Sequence, residues 1–213
     1  QDSKPKKFIW KVARFVNQNV TWYKSSCTSQ WTNEAANTQR KSKADKTRTS
    51  WFDMWDIMKE RWLWAEWRWA YWIDAIKLAK ELWIIDWYYR VRSKQQIMSA
   101  LYRWHTVVTW STKINWKKLH STNYVVTEAS SWYWHFFYVN WWNSNFQYDK
   151  LKWVFSCVNS YWKEYWDNWM FYIPYELFDK VAFNSTYAVV VNPEWSKLSK
   201  EELFKKYKLK LSN

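Results

Sequence analysis

The chain contains no glycine among its 213 residues. A soluble protein of this length would carry about 15 glycines, at the usual share of about 7%. Glycine adopts positive φ angles without a steric cost, and few folds avoid such positions. Another residue type must therefore occupy the places at which the backbone turns left-handed.

Tryptophan is correspondingly abundant, with 24 copies, and several copies lie where glycine is expected. Trp83 follows the amphipathic run Ile73–Leu82, and Trp104 follows the helix-like run Ser93–Arg103. Both are predicted C′ positions, where a residue in the left-handed conformation ends a helix. Trp141 and Trp142 precede polar residues 143–145 between two strand-like runs, a pattern that predicts a turn.

We therefore hypothesise that most or all of the tryptophans stand for glycine, through a codon such as UGA that the source organism reads differently. With glycine restored, the composition is that of a normal globular protein, large enough for one compact core or two small lobes. The alternative is a genuinely tryptophan-rich protein, such as a carbohydrate or membrane binder.

Cysteine and long apolar runs are also scarce. The two cysteines, Cys27 and Cys157, do not make a disulfide framework in a chain of this length, although a single bridge between them stays open. No apolar run approaches the length of about 20 residues that a membrane span needs. The sequence thus predicts no membrane span.

The charge balance is strongly basic, with a formal net charge of +14 from 33 Lys and Arg against 19 Asp and Glu. Such a surface can attract an anionic polymer. The densest basic stretches, Arg40–Arg48 and Lys197–Lys210, are typical of solvated faces or tails. We expect no specific nucleic-acid binding.

The periodicity predicts an α+β fold, with helices in the first half and strands in the second. The predicted helices begin at Cys27, at Ser50 or Asp53, at Asp74, and after Ser93, which forms a capping box with Gln96. The predicted strands are Thr106–Thr109, Tyr124–Thr127, His135–Val139, Val154–Val158, Met170–Ile173 and Tyr187–Val191.

Three residues carry candidate chemistry. Cys27 would lie in the first turn of a helix, where the positive end of the helix dipole favours the nucleophilic thiolate. His135 opens an apolar strand after two presumed glycines, Trp132 and Trp134, and Asn159 ends another strand. Taken singly, the cysteine and the histidine are more often structural residues.

The run that begins at Asn159 is the most specific signal. It reads NSYWKEYWDNWMFYIP, or NSYGKEYGDNGMFYIP with glycine restored. It resembles the papain-family signature around the catalytic Asn, Asn-Ser-Trp-Gly followed by a second Trp-Gly and then Asn-Gly-Tyr/Phe. Tyr161 and Tyr165 stand where that family has Trp, and Tyr161 would provide aromatic cover for the Asn.

Two further segments match the same family in the same order. Residues 130–142 resemble its Gly-His-Ala-Val strand, and Asn17-Gln18 together with Ser25-Ser26-Cys27 resembles the segment that carries the oxyanion Gln and the nucleophile. The spacing from Gln18 to Cys27 is a few residues longer than usual, and Thr28 replaces the customary Trp.

The resemblance implies a papain-like cysteine peptidase with catalytic residues Cys27, His135 and Asn159. Gln18 and the backbone N–H of Cys27 would form the oxyanion hole. A helical lobe (residues 1–95) and a β-rich, barrel-like lobe (residues 96–213) would enclose a cleft for an extended peptide. Cys27 and His135 would form a thiolate–imidazolium pair, with no cofactor or metal, in a monomer.

Two alternatives remain open at this point. A cell-wall amidase or endopeptidase uses related Cys-His chemistry, and the basic surface would suit an anionic wall polymer. A non-catalytic binding protein could also have kept the papain-like fold.

Overall fold

The computed structural model describes residues 27–42, 49, 51–63, 71–131, 134–159, 170–182 and 186–191. The α-helices in these ranges are α1 (Cys27–Ser42), α2 (Trp51–Glu60), α3 (Trp72–Glu81), α4 (Lys94–Tyr102) and α5 (Phe178–Val181). The strands are β1 (Trp87–Val91), β2 (Thr106–Ser111), β3 (His135–Tyr148), β4 (Leu151–Val158), β5 (Met170–Pro174) and β6 (Thr186–Val190). The predicted α+β class is confirmed.

The strands form one antiparallel sheet in the order β1-β6-β2-β3-β4-β5. The sheet is open, because its two edge strands, β1 and β5, lie at opposite ends of that order. The predicted barrel-like arrangement is therefore wrong. The predicted boundary between the two lobes, at residue 95, falls within α4. β1 precedes that boundary, yet it belongs to the same sheet as the later strands. The division into two lobes stays a prediction.

Helices cover both faces of the sheet, and alternate residues of β3 show how. Phe136 and Tyr138 belong to one core, which they share with α1, α2 and α3. Phe137 and Val139 belong to a second core, which includes residues of α4 and α5. Successive side chains of a strand point to opposite faces, so β3 lies between the two cores.

Polar side chains join α1 to the sheet. The Gln39 side-chain amide donates to Thr106 Oγ1 and to the Val189 carbonyl, each at 2.7 Å, and its oxygen accepts from the Val191 N–H at 3.0 Å. The Thr38 and Tyr138 hydroxyl oxygens lie 3.2 Å apart. Because buried polar groups must find partners, these bonds fix how α1 lies on the sheet.

Three helices end with a tryptophan in the left-handed conformation: Trp62 after α2 (φ 56°), Trp83 after α3 (φ 56°) and Trp104 after α4 (φ 65°). In each case the tryptophan N–H and the next N–H bond to carbonyls of the last turn at 2.8–3.1 Å. This is the hydrogen-bond pattern of the Schellman motif, whose C′ residue is usually glycine. The C′ positions predicted for Trp83 and Trp104 are confirmed.

The turn predicted after Trp141 and Trp142 is wrong. β3 continues through both residues to Tyr148, with two register shifts against β4, and the chain reverses at Asp149, where φ is 51°. Asn143 pairs with Val154, and residues 144–146 fall in the register shift between Asn143 and Gln147, where a bulge accommodates extra residues in one strand.

Two further assignments differ from the sequence prediction. Residues 124–127 form no strand; Val125 makes only an isolated bridge to Tyr172. β1 was not predicted, and it pairs with β6 about a hundred residues away. The other predicted helices and strands are present with shifted ends, and Ser93 Oγ accepts from the Gln96 N–H at 3.2 Å, as the predicted cap requires.

Candidate active site

The pairing of β3 with β4 brings His135 and Asn159 together. The strands are antiparallel with Tyr138 opposite Val158, so the first residue of β3 lies near the residue that follows β4. His135 Nε2 lies 2.6 Å from Asn159 Oδ1, and both side chains are buried. A carboxamide oxygen can only accept, so Nε2 carries the proton and donates it, which leaves Nδ1 as the basic nitrogen of the ring.

Cys27 is the first residue of α1, as predicted, and its side chain is 3% exposed. Burial raises the pKa of this thiol, and the backbone N–H groups of Phe136, of Thr28 and of Cys27 itself oppose that rise. The first N–H groups of a helix have no partner within the helix and can serve an anion. The thiol therefore lies beside the residue that follows His135.

The imidazole and the thiol approach the start of β3 from different sides. Phe136 shares the first core with Cys27. The His135 ring contacts Trp116, which belongs to the partly buried border of the second core, with ring centroids 5.1 Å apart and an interplanar angle of 82°. The structure thus brings His135 and Asn159 into contact, and it places Cys27 beside Phe136, in the core on the other face of β3.

Burial controls the ionisation of both reactive groups. It raises the pKa of the Cys27 thiol to about 11, against the opposing effect of the three N–H groups. It lowers the pKa of His135 to about 3, against the opposing hydrogen bond to Asn159. Because burial disfavours each charged form, these shifts favour the neutral thiol and the neutral imidazole, whereas the sequence predicted a thiolate–imidazolium pair.

The low pKa of His135 predicts a loss of stability in acid. Between pH 6.5 and about 3, the unfolded chain binds a proton at this residue and the folded chain does not, so the free energy of unfolding falls as the pH falls. The slope from this group approaches about 1.4 kcal/mol per pH unit. Urea unfolding at several pH values should show this slope for the parent protein and its loss in His135→Gln.

The matched control for that measurement is His120→Gln, which alters an exposed histidine and should leave the slope unchanged. Parallel stability curves for the parent protein and His135→Gln between pH 6.5 and 4 would contradict the assignment.

Cys157 lies in the second core, where it is buried, and its thiol is a long 3.8 Å from the Phe155 carbonyl. Both cysteines are free, so the bridge between Cys27 and Cys157 is not formed. His105 Nδ1 lies 2.9 Å from the Tyr89 hydroxyl oxygen. Gln18 and Tyr161 lie outside the described residues.

Two groups around the site were not identified from the sequence. The Phe136 N–H could have been predicted from the sequence. Phe136 follows His135 in a predicted strand, so its backbone donor must lie close to the histidine. Trp116 could not, because it lies 19 residues before His135 in a segment without strand or helix periodicity.

The comparisons with known proteins give no further assignment, since no protein-family model and no curated protein matches this chain. Among the described residues, no helix has both the length and the apolar character needed to cross a membrane.

Proposed function

We propose that the chain is a papain-like cysteine peptidase, with Cys27 as nucleophile, His135 as general base and acid, and Asn159 as the residue that orients the imidazole. The observation that carries the proposal is the 2.6 Å hydrogen bond from His135 Nε2 to Asn159 Oδ1. A cysteine at a helix N-terminus lies beside Phe136, the residue that follows His135. Cysteine, histidine and a polar residue that orients the imidazole form the functional set of a nucleophilic hydrolase.

The neutral state of the pair decides how the reaction would begin. With Nε2–H held by Asn159, Nδ1 accepts the Cys27 proton as the sulfur attacks the carbonyl carbon of the peptide bond. The resulting oxyanion is stabilised by the Cys27 backbone N–H and by the Gln18 amide. Each such donor contributes a factor of about 10²–10³ in rate.

The imidazolium then returns its proton to the leaving amine as the C–N bond breaks, which leaves a thioester on Cys27. His135 next takes a proton from water, and the water oxygen attacks the thioester carbon. Loss of the thiolate releases the carboxylic acid, and the proton on His135 returns to sulfur. The same imidazole is thus base and acid in both halves of the reaction.

The groove for the peptide is part of the proposal: it would run between α1, which carries Cys27, and the ends of β3 and β4 at which His135 and Asn159 lie. The net charge of +14 favours a cell-wall peptide as a second candidate substrate, because such peptides are attached to anionic polymers. Turnover of a plain peptide library against a muropeptide library distinguishes the two.

Covalent labelling tests the proposal. A peptidyl epoxide should modify Cys27 and spare Cys157, because the attacking thiol needs an adjacent base and a bound ligand, and Cys157 lies in an apolar core. Peptide mapping by mass spectrometry reads out both sites, and Cys27→Ala serves as the control. Equal labelling of the two cysteines, or labelling only after denaturation, would contradict the proposal.

A further inference from the structure

A long segment between β2 and β3, residues 113–130, has internal contacts of its own, and we call it the strap. Its two ends are joined, because the Ser130 N–H donates to the Lys113 carbonyl at 3.0 Å. An ion pair links its two halves, with Lys118 Nζ 2.6 Å from a carboxylate oxygen of Glu128. A small cavity lies inside it, and all the lining residues belong to the strap. Surface loops with joined ends and an interior of their own are organised like Ω-loops, which are frequently functional.

The strap lies against the candidate active site. The Trp116 ring packs against the His135 imidazole, with centroids 5.1 Å apart and an interplanar angle of 82°. Further along the strap, the Val126 N–H donates to the Tyr172 carbonyl and the Tyr172 N–H donates to the Tyr124 carbonyl, each at 2.9 Å. The His135 side chain is only 2% exposed. In this conformation the proposed base is therefore covered and cannot reach a peptide bond.

Tyr124 is held in the left-handed conformation, with φ at 62°. Among the described residues with positive φ, four are tryptophans and two are Asn123 and Asp149, and Asn and Asp tolerate this conformation. Reading tryptophan as glycine thus leaves the strain at Tyr124 in place. Such strain persists only where the surrounding contacts enforce it. Here the Tyr124 N–H bonds to the Leu119 carbonyl at 2.8 Å, and its carbonyl accepts from Tyr172.

These features favour opening of the strap as a unit. The strain at Tyr124 is relieved once the hydrogen bonds to β5 break, whereas the bond between the two ends can stay intact while β2 and β3 remain paired. Buried strap residues such as Leu119 and Val126 hold the closed state, so the open state is the less populated one. Segments that open locally, at a lower free energy than global unfolding, include active-site lids.

We propose that the strap is a releasable cover of the candidate active site, which opens as one unit and admits substrate to His135 only in its open state. The inference rests on the proposed function for what enters the opened site. The opening itself is measured without any catalysis.

Native-state hydrogen exchange of the full-length protein, read by mass spectrometry, tests the opening. Strap amides should exchange together, with protection factors at least about tenfold below those of residues 136–139 in β3. Tyr124→Gly and Tyr124→Ala form the matched pair, because both lose the ring but only glycine removes the strain. Strap exchange should be about 5–30-fold slower in the glycine variant, the ratio that the usual cost of a left-handed residue gives. Strap amides as protected as those of β3, or equal strap exchange in the two variants, would overturn the proposal.

Chemical modification tests whether the strap covers the histidine. Diethyl pyrocarbonate modifies accessible neutral imidazoles, and peptide mapping reads each histidine separately. His135 should react about 5–30-fold more slowly in Tyr124→Gly than in Tyr124→Ala. His120 is exposed in the closed strap and should react at the same rate in both variants. Equal rates at His135 would show that the strap does not control access to it.

Peptide hydrolysis separates this inference from the proposed function. If the strap admits substrate, kcat/KM should be lower in Tyr124→Gly than in Tyr124→Ala by the same factor as the exchange rates. Equal hydrolysis by two variants whose strap exchange differs overturns the strap as a cover and leaves the proposed function standing. A strap that opens in a protein that hydrolyses no peptide overturns the proposed function and leaves the opening standing.

Discussion

Cys27→Ser is expected to lower kcat/KM for peptide hydrolysis by about 10⁴-fold or more, the size of effect that loss of a nucleophile has in hydrolases of this type. A serine hydroxyl is a far weaker acid than a thiol. Transfer of its proton to the His135 imidazole is therefore less favourable than transfer from the Cys27 thiol. The measurement is steady-state hydrolysis of a fluorogenic peptide at pH 7, with circular dichroism to show that the variant is folded.

Two further variants test whether the loss of activity is specific to the proposed catalytic residues. Cys157→Ala removes the other thiol from the second core and should keep activity within a few-fold wherever the protein stays folded. Asn159→Ala should retain the nucleophile yet lose about 10²-fold or more, because the imidazole is no longer held in the tautomer that leaves Nδ1 basic. Hydrolysis by Cys27→Ser within tenfold of the parent would rule out the proposed mechanism.

The pKa directions and the Trp116 ring are connected. Burial raises the pKa of Cys27 and lowers that of His135, and the Trp116 ring packs against the imidazole at a centroid distance of 5.1 Å. A shorter side chain at position 116 is expected to admit water to the imidazole and to raise the pKa of His135.

The sequence predicts the parts of the site that depend on local order. His135 and Asn159 each stand at the end of an apolar run, and strand alternation together with antiparallel pairing is enough to place their side chains in contact. Cys27 is predicted at a helix start, and α1 does begin there. The helix ends at Trp83 and Trp104 follow from the place of each tryptophan after an amphipathic run.

The remaining features depend on contacts between distant segments. β1 becomes a strand because β6 pairs with it, and nothing within residues 87–91 shows that partner. Residues 141–145 have the composition of a turn, yet β3 continues through them, with residues 141–143 paired to β4. The contact of Trp116 with His135 depends on how a loop after β2 folds back over the sheet, which no local pattern encodes.

Replacing Trp62, Trp83 and Trp104 together by glycine is expected to raise the free energy of unfolding by about 3 to 6 kcal/mol. Each residue has φ between 56° and 65°, where a side chain with a Cβ costs roughly 1–2 kcal/mol and glycine costs none. Trp62 is 75% exposed and loses little packing, whereas Trp104 is 40% exposed and Trp83 is partly buried. The three positions end different helices, so their effects should add.

The matched control is the triple alanine variant, which removes the same three indoles but keeps a Cβ at each left-handed position. Urea unfolding should place the glycine variant well above both the parent and the alanine variant, with a Tm increase of about 6 °C or more. If alanine and glycine gave equal stability, the gain would come from losing exposed aromatic surface, and the three helix ends would no longer support reading tryptophan as glycine. If only the glycine variant is more stable than the parent, the gain comes from the backbone conformation. Positive φ is what distinguishes these three positions from an ordinary exposed tryptophan.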